Sequence, residues 1–95
     1  MITRTDKQGN IRQFALDLEW ILAEEARDPG YSFFKDLENI AENPRLTTIK
    51  RMSEAMGYDF IELSKLFTIF QIVEIFGECC CKDMGFIPSE SDATA

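Results

Sequence analysis

Histidine is absent from the 95 residues, and with it the side chain most often used for proton transfer and metal ligation near neutral pH. Proline, with three residues, and glycine, with five, are scarce, which excludes a collagen-like or low-complexity chain. No apolar run approaches the ~20 residues of a membrane-spanning helix. The longest, LFTIFQIVEIF from Leu66 to Phe76, is interrupted by Gln71 and Glu74. The opening MITRTDKQGN lacks the apolar stretch of a secretory signal, so the chain is expected to stay in the cytoplasm, away from any membrane. The cysteines are three and consecutive, Cys79, Cys80 and Cys81, a spacing that builds no disulfide framework and suits a reducing compartment.

What is present belongs to a folded chain: 45% of residues are hydrophobic and 12% aromatic, enough to bury a core. The length fits one domain, expected over residues 1–82, with DMGFIPSESDATA from Asp83 onward as a loose C-terminal tail. The net charge is −7 and unevenly spread. Residues 1–29 carry four basic and six acidic side chains, residues 30–65 five and six, and residues 66–95 one and five. Phosphate repels an acidic chain, which argues against tight, sequence-independent nucleic-acid binding, although a local basic face is still compatible with a specific reader.

Apolar spacing predicts helices throughout. Asn10 can cap a helix over about 11–26, in which Ile11, Phe14, Ala15, Leu18, Ile21 and Leu22 repeat on one face. Asp28, Pro29 and Gly30 then make the strongest turn signal in the chain. Ser32 can cap a second helix bearing Phe33, Phe34, Leu37, Ile40 and Ala41, which ends before Asn43 and Pro44. A third begins near Thr47, carries Leu46, Ile49, Met52 and Met56, and stops at Gly57. From Asp59 a longer helix puts Phe60, Leu63, Phe67, Phe70 and Val73 on one face, widened by Leu66, Ile69, Ile72 and Phe76. A helix apolar over so much of its circumference needs cover on more than one side, which points to a homodimer through Phe67, Phe70, Val73 and Phe76. TIFQIVEIF is rich in β-branched and aromatic residues, so a strand is the competing reading there. The expected fold class is all-α, a small bundle of four to five helices with a long apolar C-terminal helix.

The stretch NPRLTTIKRMSEAMGYDFIELSKLF, Asn43 to Phe67, resembles the last two helices of the Cro/phage-repressor (xenobiotic-response-element type) helix-turn-helix domains. Asn43, Pro44, Leu46, Thr48, Ala55, Gly57, Glu62 and Leu63 match that family's pattern in register, and Leu37, Glu38 and Asn39 fall at the end of its recognition helix. The likeness covers residues 30–66. It implies double-stranded DNA as partner, with residues 27–42 meeting the groove and residues 44–50 the backbone. On this alignment Tyr31, Ser32, Lys35 and Asn39 would contact bases or phosphates, and Arg45, Thr47 and Lys50 the phosphate backbone. Phe33 and Asp36 would also point outward, where they suit a protein partner better than a groove. The phrase MSEAMGYDFIEL is also similar to the end of small nitrogen-fixation-associated domains used as leaders of modified peptides, through Ala55, Gly57, Tyr58, Asp59, Phe60 and Leu63.

Other constellations are bland. Adjacent cysteines converge poorly on one metal ion and no histidine can complete the set, so no metal and no cofactor are expected; Lys82 beside them could lower a thiol pKa. Glu24 and Glu25 read as a solvated face, and no glycine-rich loop precedes a helix, so no enzymatic activity is expected. Trp20 lies near the apolar stripe of the first helix as core or as an interface anchor. The reading is a small helix-turn-helix-like DNA-binding regulator of transcription. The alternative is an acidic helical protein–protein interaction module, an adaptor or inhibitor, without DNA binding.

Overall fold

The first fourteen residues do not form a helix. In the computed structural model, which describes residues 1–42 and 45–85, β1 (Ile2–Thr5) and β2 (Ile11–Phe14) pair antiparallel, with Ile2 opposite Phe14 and Thr5 opposite Ile11. The reversal is built on Asp6. Its carboxylate accepts from the backbone N–H groups of Gln8 and Asn10 and from Arg12 Nε at 2.8 Å, while Gly9 takes a φ of 86° that other residues rarely adopt. Asn10 therefore closes a hairpin turn and caps no helix. The expected helix over 11–26 keeps only its second half, and the fold is mostly helical, not purely all-α.

Five helices follow among the described residues: α1 (Leu18–Arg27), α2 (Phe33–Glu42), α3 (Leu46–Ala55), α4 (Phe60–Leu66) and α5 (Ile69–Asp83). Asp17 caps α1 by accepting from the Trp20 N–H. The Asp28–Gly30 turn forms as expected, the Asp28 carboxylate accepting from the Gly30 N–H at 2.9 Å. Ser32 accepts from the Lys35 N–H and so opens α2, and Gly57, at a φ of 85°, ends α3. Asn43 and Pro44 lie outside the described residues, as do residues 86–95 of the expected tail. Asp83, placed in that tail from sequence, is the last residue of α5.

The long helix expected from Asp59 is two helices. Asp59 caps α4 through the Glu62 N–H, and at Phe67 the backbone becomes extended, with φ −137° and ψ 153°. Thr68 then starts α5 with a capping box: its hydroxyl accepts from the Gln71 N–H while the Gln71 side chain accepts from the Thr68 N–H. The apolar run TIFQIVEIF is thus helical from Ile69. No helix among the described residues is long and apolar enough to cross a membrane.

α3 is the hub and packs on α1, α2, α4 and α5, while β1 lies against α5. Its inward face buries Ile49, Met52, Ser53 and Ala55; the Ser53 hydroxyl satisfies itself on the Ile49 carbonyl. Around it Phe14 stacks near Tyr58 and Phe67 at 4.8 and 5.6 Å between ring centroids, and Phe33 meets Phe76 at 5.6 Å. Trp20 is half-buried edge-on to Tyr31, a flank of the core.

Candidate functional site

Two depressions meet at the N-terminal end of α3. The first is polar, about 230 Å³, lined by Gly30, Asp36, Asn39, Arg45, Thr47, Thr48 and Arg51. The turn after α1 supplies Gly30, α2 supplies Asp36 and Asn39, and α3 the rest. The N-cap Arg45 makes no side-chain capping bond, and among the described residues no other side chain caps α3, so the N–H groups of its first turn are open to a ligand. Arg51 is anchored: it binds Asp28 at 2.6 Å and its guanidinium lies over the Tyr31 ring at 4.5 Å. That pairing holds the Asp28 carboxyl below the usual carboxylate range, helped by the Gly30 N–H. Asp36 moves the other way, because burial raises its pKa more than Arg51 lowers it.

Of the seven residues assigned to DNA from sequence, the polar opening gathers Asn39, Arg45 and Thr47. Tyr31 is a correction. Only 6% of it is exposed, its ring sits between Trp20 and Arg51, and burial pushes its hydroxyl up to about 12. Ser32 is half-buried with its oxygen used on the Lys35 N–H, and Lys50 is exposed but paired with Glu54 at 2.8 Å. Lys35 is exposed on α2, outside the opening. Phe33, expected to point outward, is buried against Phe76, and its N–H donates to Glu25 at 2.8 Å. The outer face of α2 presents Phe34, Lys35, Glu38, Asn39 and Glu42, which carries more acid than base.

The second depression is apolar, about 280 Å³, lined by Ile40, Arg45, Leu46, Ile49, Ile69, Phe70 and Val73 from α2, α3 and α5. It settles the four expected interface residues differently. Phe67 and Phe76, 2% and 1% exposed, belong to the core and cannot meet a partner. Phe70, 83% exposed, and half-buried Val73 lie at the groove. The break at Phe67–Thr68 separates Phe67 from the α5 residues, and on α5 itself Phe76 lies about 240° round the helix from Phe70. Leu46, 64% exposed, stands on the opposite wall and was not singled out for an interface from sequence.

Comparison with protein-family models, with curated proteins and with solved structures finds no match to this chain. The likeness over residues 30–66 therefore rests on the residues quoted for it.

Cys79 and Cys80 are not poised for chemistry. Burial pushes the Cys79 and Cys80 thiols up to about 11 and about 12, and nearby carboxyl and thiol groups add to it, so Lys82 does not activate them as expected. Among the described residues no group of three histidine, cysteine, aspartate or glutamate side chains could hold a metal ion. Thr48 and Arg51 were missed as site residues, although paired threonines at a helix start ahead of two basic residues, TTIKR, are a readable sign of an anion-tolerant N-terminus.

Proposed function

We propose that this chain is an acidic helical protein-interaction module, of the adaptor or inhibitor class, whose working surface is the groove between α2, α3 and α5. The second copy of the chain is the occupant this surface fits. Phe70 carries the reading: a phenylalanine 83% exposed, on a helix that buries Ile72, Ile75 and Phe76 on its other side, stands beside an apolar groove of about 280 Å³. A knob and a hole on one patch are what a two-fold interface requires, because each copy offers both to the other. The rim charges agree. Arg45 lines the groove, and exposed Glu74 sits one turn beyond Phe70 on the same face of α5, so it travels with the inserted ring. Sedimentation velocity over a wide concentration range tests this. The wild type should dimerise, and Phe70→Glu should stay monomeric with unchanged helical content; a wild type that is monomeric throughout refutes the reading.

The DNA-reading regulator retains one observation in its favour: Asn39, Arg45 and Thr47 share a concave polar surface at a helix N-terminus. Against it stand buried Tyr31 and the acids Glu38 and Glu42 on the outer face of α2. Titrating short duplexes against salt separates the readings. Binding that weakens by about one log unit per log unit of salt for each phosphate neutralised, and that fails in the Lys35→Glu/Arg45→Glu variant, would favour the regulator.

A further inference from the structure

The polar opening at the start of α3 has features that protein docking does not use. Thr48 is only 7% exposed, yet its hydroxyl has no hydrogen-bond partner among the described residues. No fully enclosed side-chain nitrogen or oxygen among them lacks a partner, so the exposed remnant of Thr48 is the part that faces the opening it lines. That hydroxyl, enclosed on its other sides, is left to hydrogen-bond whatever occupies the opening. Around it lie the uncapped N–H groups of the ten-residue α3 and the guanidinium groups of Arg45 and Arg51.

We propose that this opening binds inorganic hydrogen phosphate, which keeps a proton. Donors dominate the lining: helix N–H groups, the Thr48 hydroxyl, the Asn39 amide and two guanidiniums, enough to meet the several acceptor oxygens of a tetrahedral anion. Asp36, which also lines it, decides which anion. An acceptor-only carboxylate repels a fully deprotonated anion such as sulfate but accepts a hydrogen bond from the P–OH of hydrogen phosphate. Arg51 is half-committed to Asp28, so Arg45 is the freer cation, and the Asp36 carboxylate becomes a discriminating group. The site is independent of the apolar groove except through Arg45, which lines both.

The test is an amide-shift titration of the full chain with inorganic phosphate, with phenyl phosphate and with sulfate, at mildly alkaline pH and constant ionic strength. Phosphate should saturate with a dissociation constant of about 1 mM or tighter. The shifts should centre on Thr47 and Thr48, and sulfate should bind about tenfold more weakly or worse. Phenyl phosphate, a monoester whose last proton leaves at about pH 6, is fully deprotonated in this buffer and should bind as weakly as sulfate; a monoester that binds as tightly as inorganic phosphate would overturn the proposal. Thr48→Val, which keeps the side-chain volume, should weaken phosphate binding about tenfold. Asp36→Asn should bring sulfate close to phosphate. Absence of saturable shifts at Thr47 and Thr48, equal binding of sulfate by the wild type, or unchanged binding by a folded Thr48→Val protein would each overturn the proposal. Arg45→Gln, on an exposed side chain, provides the second variant: it should weaken phosphate binding, and unchanged affinity would also overturn it.

Discussion

Replacing Phe70 by alanine should change the stability of this protein only where two copies meet. A phenylalanine brings about 150–250 Å² of surface into an interface, and Phe70 has 83% of its surface still to bury, so its docking contributes about 4 kcal/mol. A two-fold contact counts it twice, and Leu46, 64% exposed on the facing wall, adds about 1–2 kcal/mol per copy. Against that gain of about 11 kcal/mol stands an association cost of at least about 4 kcal/mol. The balance of at most about 7 kcal/mol corresponds to dimerisation at about 10 μM or weaker. At a protein concentration about 100-fold above that constant only about 7% of the chains remain monomeric, so the dimer should stabilise the fold by about 1.6 kcal/mol, which moves a urea midpoint by about 0.5–1.5 M. Urea unfolding at concentrations on either side of the constant is therefore the assay. Wild type should show the shift, Phe70→Ala should lose it, and at low concentration the two should agree within about 0.5 kcal/mol. Phe76→Ala is the internal contrast: 1% exposed and packed on Phe33, it should lose about 3–5 kcal/mol at every concentration. A wild-type midpoint that ignores concentration, or a Phe70→Ala protein as damaged as Phe76→Ala when dilute, would refute the assignment of Phe70 to an interface.

Two further outcomes follow from the joints between helices. The Asp28 carboxyl is held below its ordinary value of 3.8 chiefly by its hydrogen bond with Arg51, so the stabilisation it provides is complete above that value and disappears as pH falls through the lowered one. Asp28→Asn should accordingly be less stable than wild type at neutral pH, with the gap closing in acid; a gap that persists unchanged would mean the carboxylate charge plays no part. Thr68→Ala removes half of the capping box that starts α5 and should cost about 1 kcal/mol in urea unfolding, with faster amide exchange at Ile69–Gln71; unchanged exchange there would show that packing alone places the helix start.

Features decided by local chemistry were legible in the sequence. The Asp28–Gly30 turn, the start of α2 at Ser32 and the end of α3 at Gly57 each rest on residues within a few positions of one another. The hairpin was not, because Ile11, Phe14 and Leu18 fall at a helical spacing by coincidence while Ile11 stays 73% exposed and only Phe14 turns inward. The contrary signal was Asp6 and Gly9, a five-residue loop containing glycine between two short runs. The break at Thr68 was also written in the chain as a threonine followed three residues on by glutamine, but it lies inside an apolar run that reads as continuous helix.

That break accounts for the misplacement of Phe67 among the interface residues, and the spacing along α5 for that of Phe76. A helix continued from Asp59 aligns Phe67, Phe70 and Val73 on one face, whereas an extended residue at Phe67 resets the rotation of everything after it. Phe67 is buried at the joint, and on α5 Phe76 lies about 240° round from Phe70, so Phe76 turns inward while Phe70 stays outside, beside Leu46 and Ile40 from helices whose approach no periodicity encodes. The polar opening was partly legible for the opposite reason. Asn39, Arg45 and Thr47 are close in sequence, on two helix ends that flank one short connection. Arg51 and Gly30 join them only because Asp28 draws Arg51 from the second turn of α3 to the loop after α1, which also closes Tyr31 away from solvent. Periodicity locates a side chain on its own helix, and the ion pair between Asp28 and Arg51 determines which helix end it faces.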